Sequence, residues 1–197
     1  MDSSAAIARS GITLGILAGG SALRLGGRDK AWLMRDGEPQ VLRIAKRFED
    51  GTAAVLVSAN AGLDRYADAG LAAVRDRSAG AGPLSGLDAL AAACRTPWLL
   101  TLPVDLVDAG DNLPRTLAAG RHADGARARD DDGPQPLVAL WRVAALREAA
   151  IAALAAGEFA VHALQARLDL AEVPLAGVRF GNLNTPDDLR AAGIGNH

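Results

Sequence analysis

The sequence is poor in cysteine and in aromatic rings, and it contains no long apolar run. Cys94 is the one cysteine in 197 residues, so no intramolecular disulfide can form. That suits a reducing compartment, and in the run AAACRT the residue reads as a small buried helix position rather than a nucleophile. Aromatics make up 4% of the chain, and alanine dominates instead. No apolar stretch is long enough to cross a bilayer. The opening MDSSAAIARS lacks the basic region and apolar core of a secretory signal, so the chain is expected in the cytoplasm. A net charge of −2 gives no general attraction to nucleic acid or to an anionic membrane. Any anionic ligand has to be captured locally. Half the residues are hydrophobic and 22% are charged, as in a soluble globular protein. The expected organisation is a flexible tail over 1–11 followed by a single domain over 12–197.

Short apolar runs alternate with segments of helical periodicity. Strands are expected at Ile12–Leu17, Ala53–Val57, Leu71–Val74, Pro97–Leu102 and Pro136–Trp141, with extended pieces at Ala31–Met34 and Val173–Val178. Helices are expected at 39–48, 63–69, 86–94 with Ser85 as N-cap, 113–119, 143–156 and 159–168. A last helix is expected after Thr185-Pro186, with Thr185 as cap and two acids in its first turn. Three consecutive aspartates, Asp130–Asp132, read as a solvated hairpin tip. This alternation predicts an α/β fold: a mostly parallel sheet with helices on both faces, and a ligand crevice at the carboxyl ends of the strands.

The densest stretch is Ile12–Lys30, ITLGILAGGSALRLGGRDK. An apolar strand runs into Gly19-Gly20, passes Arg24, meets Gly26-Gly27 and ends on Lys30. Glycine lets backbone N–H groups turn toward an anion, and Arg24 and Lys30 add formal charge against phosphate oxygens. It is neither Gly-x-x-x-x-Gly-Lys-Ser/Thr nor Gly-x-Gly-x-x-Gly, which disfavours a P-loop NTPase and a nicotinamide dehydrogenase. The strand ends add Ser58, Asn60, Asp76 and Asp105 to the same crevice. Asp105 follows WLLTLPV at once. It reads either as a Mg²⁺ ligand, since Mg²⁺ uses one or two carboxylates plus phosphate oxygens and water, or as a turn aspartate. His122 and His162 read as surface or packing residues, and His197 is at the chain end.

LAGGSALRLGGRDK resembles the signature loop of the MobA family, the molybdenum cofactor guanylyltransferases. GPLSG at 82–86, LPVD at 102–105, QPLVALW at 135–141 and FGNLNTPDDL at 180–189 resemble further family segments, in order along nearly the whole chain. The resemblance implies a Rossmann-like nucleotidyltransferase fold. It implies Mg²⁺-dependent transfer of GMP from GTP to the molybdopterin-type molybdenum cofactor, releasing pyrophosphate. It places GTP on Leu17, Ala18, Gly19, Gly20, Lys30, Ser58, Asp76 and Asp105. Lys30, Arg24 and Asp105 would serve catalysis, Asp105 would hold Mg²⁺, and Asn182 and Asn184 would face the molybdopterin side. Recipient molybdoenzymes or other cofactor-biosynthesis proteins are possible partners.

The sequence departs from the family pattern at Ser58 in place of asparagine, at Leu106-Val107, at Gln135 in place of histidine, and in GEFAVHAL at 157–164. A molybdopterin cytidylyltransferase and a catalytically silent nucleotide-binding adaptor are the alternatives. Gly19 and Asn182-Leu183-Asn184 favour guanine over cytosine in that comparison.

Overall fold

Strand β1 (Ile12–Leu17) is buried along its whole length, as an apolar run must be when both faces of a sheet are covered. The computed structural model describes residues 6–19, 29–78 and 80–194. Ahead of β1, Arg9–Gly11 forms a 3₁₀ turn, and Ile7 packs against the core. Gly20 and Arg24 lie outside the described residues.

After Lys30–Trp32, a 3₁₀ turn where an extended piece was expected, strands β2 (Met34–Arg35) and β3 (Glu38–Pro39) form a small ribbon. Asp36 and Gly37, at φ of 52° and 81°, make its two-residue turn. Paired positive φ values of this kind are why Asp-Gly is favoured there. The chain continues through α1 (Gln40–Arg47), β4 (Ala54–Ser58), α2 (Leu63–Asp68), β5 (Ala72–Val74) and α3 (Pro83–Ala93). It then forms β6 (Trp98–Pro103), α4 (Leu113–Gly120), β7 (Gly125–Asp130), β8 (Gly133–Arg142) and α5 (Val143–Ala156). It ends with α6 (Val161–Gln165), β9 (Leu170–Pro174) and α7 (Pro186–Ala191).

Seven strands join in the order β5-β4-β1-β6-β8-β7-β9. The first four run parallel, and β8 alone runs against the rest. One face carries α1, α2 and α4 over Ile12, Leu14 and Ile16, and the other carries α3, α5 and α6 over Leu99 and Trp141. Trp141 is fully buried, with its indole N–H donating to Thr101 Oγ1 at 2.8 Å. The chain winds outward from β1 to β4 and β5, then crosses to β6 on the other side. A crevice therefore opens where the order reverses, beyond Leu17 and its register partner Pro103. No helix of the described residues is long and apolar enough to cross a membrane.

Several local expectations change. Helix α3 begins at Pro83, with Gly82 as N-cap, because Ser85 Oγ donates to the Ser78 carbonyl at 2.6 Å instead of capping. Helix α6 is shorter than 159–168, and β9 lies earlier than 173–178.

The aspartate run is the expected hairpin tip, between β7 and β8, with Asp131 and Asp132 exposed in its turn, but Asp130 is not solvated. Asp130 is 5% exposed. It accepts hydrogen bonds from the Phe180 N–H at 3.0 Å, Gln135 Nε2 at 2.9 Å and the Asp132 N–H at 3.1 Å. Asp131 accepts from the Gly177 N–H at 3.1 Å, and its own N–H donates to the Val178 carbonyl. Together these aspartates clamp residues 177–180. Burial pushes the Asp130 carboxyl up, but the donors of Phe180, Gln135, Asp132 and Gly133 outweigh it and hold the group below its ordinary value of 3.8.

Asp130→Asn should therefore cost roughly 1–3 kcal/mol of stability at neutral pH, since it weakens hydrogen bonds to a buried charge. A carboxyl whose pKa is depressed by folding stabilises above its unfolded pKa, and that contribution fades as pH falls through the folded value. The gap between wild type and variant in urea denaturation should accordingly be full at pH 7 and shrink below about pH 4. An equal gap at both pH values would remove Asp130 from this role.

Candidate functional site

A cavity of about 730 Å³ occupies the crevice. Its floor is the end of β1, Leu17-Ala18-Gly19, and its walls include Ser58, Asn60, Asp76, Tyr66, Gly86 and Asp105. The Ala18 N–H donates to the Ser58 carbonyl at 3.0 Å, which extends the β1–β4 pairing. Among the described residues the Gly19 N–H has no backbone acceptor, which leaves a donor for an anion.

One end of the cavity is a polar cluster. Asp76 accepts from Ser58 Oγ at 3.2 Å on one oxygen and from Asn60 Nδ2 at 2.7 Å on the other, and its N–H donates to Asn60 Oδ1 at 3.0 Å. Helix α3 presses on this cluster through Gly86. A Cβ there would lie 2.7 Å from Ser58 Oγ and 2.9 Å from Leu17 Cδ2. Glycine at that position lets a helix start pack this close to two strand ends.

The other end is built on Lys30. Asp29 caps the 3₁₀ turn by accepting the Ala31 N–H at 3.0 Å. The turn is then pinned by Trp32, whose ring meets that of Tyr66 with centroids 5.0 Å apart. The Arg65 guanidinium lies 4.0 Å from the Trp32 ring centroid. Burial, with the Asp29 charge adding to it, pushes the Tyr66 phenol up to about 12, so it remains a neutral group. Held this way, Lys30 Nζ donates to Asp105 Oδ2 at 3.0 Å and to Asn184 Oδ1 at 2.7 Å.

Asp105 and Asn184 meet because two backbone segments are fastened together. The Leu183 N–H donates to the Asp105 carbonyl at 2.8 Å, Leu106 bridges Asn182, and the Asp108 N–H donates to the Phe180 carbonyl at 3.0 Å. From the opposite direction, Gln40 Nε2 donates to the Leu106 carbonyl at 2.6 Å and Arg35 Nη1 to that of Val107. Past Asn184, Thr185 and Asp188 form a capping box on α7. The Asp188 carboxyl is held below its usual range by the Thr185 hydroxyl and N–H, then by the Asn184 N–H and the Lys30 charge. Leu183 and Leu189 pack with Leu33, closing a small apolar cluster beneath.

Leu17, Ala18, Gly19, Lys30, Ser58, Asp76 and Asp105 thus line one cavity. Asn184 joins them through Lys30, whereas Asn182 contributes a backbone bridge and is itself exposed. Sequence reading missed Trp32, Tyr66, Arg35 and Gln40. Trp32 and Tyr66 are two of the chain's few aromatics, and that scarcity was the available signal. Surface-exposed His122 pairs with Asp169 at 3.1 Å, away from the cavity.

Among the described residues, no group of three or more His, Cys, Asp or Glu side chains could form a metal cage. Asp105 offers a single carboxylate at the cavity, with the side chain 22% exposed. That donor set fits Mg²⁺, which completes its octahedron with phosphate oxygens and water.

The MobA-like NTP transferase domain matches residues 14–171. A molybdenum cofactor guanylyltransferase of Cupriavidus taiwanensis is 34% identical over 195 residues, covering 94% of this chain and 98% of that protein. One from Cereibacter sphaeroides is 40% identical over 184 residues, covering 90% and 93%. Among solved structures, molybdopterin-guanine dinucleotide biosynthesis protein A from Archaeoglobus fulgidus aligns with a TM-score of 0.70 at 20% identity, over 91% of this chain and 96% of that one. That structural likeness carries the fold.

The close approach at Gly86 makes a specific prediction. Gly86→Ala should displace Ser58 and loosen its bond to Asp76 without unfolding the helix. Losing a hydrogen bond to a charged group should weaken nucleoside-triphosphate binding roughly tenfold. Titration with a fluorescent triphosphate checks this, and unchanged affinity with an unchanged circular dichroism spectrum would show that the contact relaxes harmlessly.

Proposed function

Because this chain belongs to the MobA-like NTP transferase family, we propose that its cavity transfers GMP from GTP to the molybdopterin-type molybdenum cofactor. The products are the guanine dinucleotide form of the cofactor and pyrophosphate. The observation that carries this reading is the Lys30 ammonium, held between Asp105 and Asn184 at the end of a glycine-floored strand. Phosphoryl-type transfer asks a protein mainly for positioning and for neutralised charge. An ammonium with three donors, a carboxylate and an open backbone N–H supply those functions.

The attacking group is the terminal phosphate of molybdopterin, which is already ionised, so no strong general base is needed. Attack in line on the α-phosphorus of GTP forms the new P–O bond as the bond to pyrophosphate breaks. In this reading the triphosphate draws the Lys30 ammonium from its protein partners onto the β- and γ-phosphate side. That displacement frees Asp105 Oδ2 for Mg²⁺, which when bound supplies charge neutralisation on the phosphate oxygens. Asn184, released from Lys30, faces the incoming cofactor. Arg24 is the second cation in this proposal.

Base choice falls to the Ser58–Asn60–Asp76 cluster. Asp76 accepts one side-chain hydrogen bond on each oxygen, which leaves acceptor capacity on both. That matches the adjacent N1–H and N2–H₂ donors of guanine, whereas cytosine sets its single exocyclic donor beside an acceptor.

The test is pyrophosphate release with GTP, CTP or ATP, each with molybdopterin and Mg²⁺. GTP should be the preferred substrate. A preference for CTP would overturn the guanine assignment, and GTP binding without turnover would favour a silent adaptor. Asp105→Ala should lower turnover by roughly 100-fold or more and remove its dependence on Mg²⁺ while leaving the fold intact. Lys30→Ala should weaken triphosphate binding, and unchanged GTP affinity in that variant would take Lys30 out of the phosphate cradle.

A further inference from the structure

Helix α3 carries one charged residue, Asp88, among the leucines and alanines of Pro83–Ala93. That residue is 5% exposed. A buried carboxylate is costly unless it is paired. Its partner is Arg77, whose Nη1 lies 3.6 Å from Asp88 Oδ1. Nearer the helix start and on the same face, Ser85 is also buried, and its Oγ donates to the Ser78 carbonyl at 2.6 Å. Two polar side chains of one helix therefore grip two consecutive residues of one loop. Neither is used by the transfer proposed above.

Those two loop residues directly follow Asp76. The residues ahead of them are fixed from the other side. The Ala59 N–H donates to the Val74 carbonyl at 2.9 Å, and the Asp76 N–H donates to Asn60 Oδ1 at 3.0 Å. The end of β4 thus holds 74–76, and α3 holds 77–78. The side-chain grip on the Asp76 carboxylate is uneven. Asn60 Nδ2 donates at 2.7 Å from an exposed residue. Ser58 Oγ is 3.2 Å away, longer than the roughly 2.5–3.0 Å usual for O–H···O bonds. The direction of the carboxylate therefore depends on the backbone that leaves Asp76, and α3 anchors that backbone.

We propose that Ser85 and Asp88 are positioning residues for base selection, holding the loop after Asp76 so that its carboxylate meets two donors on one base edge. The proposal rests on the reading above that Asp76 receives guanine. Two donors on one edge have to be met at one angle, so a small swing of the loop loses one of the two hydrogen bonds. Loosening the loop then erodes discrimination between bases more than capture of the triphosphate, which falls to Lys30 at the other end of the cavity.

The test compares pyrophosphate release from GTP and from inosine triphosphate, which lacks the 2-amino donor, each with molybdopterin and Mg²⁺. The wild-type chain should favour GTP in kcat/KM by roughly tenfold or more, the worth of one hydrogen bond to a carboxylate. Asp76→Ala should make the two nucleotides nearly equivalent. Ser85→Ala and Asp88→Asn should each cut the preference by about threefold or more, and neither should change it further when added to Asp76→Ala. If one of the two does not fold, the other decides. Equal loss of turnover with both nucleotides would mean a purely structural role and would overturn the proposal. So would a further change of preference on top of Asp76→Ala, because the residues would then act elsewhere. A wild type without a preference for GTP, or an Asp76→Ala variant that keeps one, would instead sink the reading of Asp76 and this inference with it.

Discussion

The candidate site of this protein is tied together by one ammonium group. Lys30 Nζ joins Asp105, 75 residues away in the chain, to Asn184, 154 residues away. An isolated, partly exposed pair of this kind contributes little to stability, because water and salt screen it and two side chains must be held still. Its value lies in geometry. Three segments with no local reason to meet are held around one ammonium, and each is braced by contacts of its own. Trp32 and Tyr66 brace the lysine, the paired backbones of 105–108 and 180–183 brace the aspartate, and the α7 capping box braces the asparagine.

The sheet explains why this corner can be polar at all. β1 is buried throughout and covered on both faces, so polar side chains such as Ser58, Asp76 and Asp105 collect where the strands stop. The reversal of strand order beyond Leu17 and Pro103 leaves the crevice that receives them. With little net charge, the protein has no broad field with which to gather a triphosphate. In the proposed reaction, capture falls to Lys30, Arg24 and the Gly19 N–H, which has no backbone acceptor among the described residues. In the same proposal selectivity falls to Asp76, whose carboxylate is oriented by Ser58 and Asn60.

Most of the architecture was legible in the residues. The apolar run of β1 and the alanine-rich stretch of α5, stopped by Gly157, located both elements to the residue, and the Thr185-Pro186 start of α7 followed from capping chemistry. Strand ends then predicted which polar side chains share the crevice. What could not be read was tertiary. Asp130–Asp132 is the charged hairpin tip that it reads as, but Phe180 brings a backbone donor that buries Asp130, and no local pattern encodes that meeting. Gln40 reads as one polar residue at the start of an amphipathic helix, and its burial follows only from the loop folded over it. Ser85 has the chemistry of an N-cap, yet Gly82-Pro83 starts the helix earlier and turns the hydroxyl to Ser78. Local rules failed where a partner came from far along the chain, as for Asp130 and Phe180, and where a nearby turn competed for the side chain, as for Ser85 and Ser78.

The bridge from Lys30 to Asn184 also bears on how the molecule comes into being. A contact across so long a stretch of chain loses loop-closure entropy before it returns any stabilisation. The crossovers that join β1 to β4 and β4 to β5 close shorter loops and lose less entropy than the contact from Lys30 to Asn184 does. Helix and strand signal does not depend on that contact, because it joins two side chains and no backbone group. Recovery of helix and strand signal during refolding is therefore a poor clock for recovery of function, and the lag between the two measures how slowly the last polar latch closes.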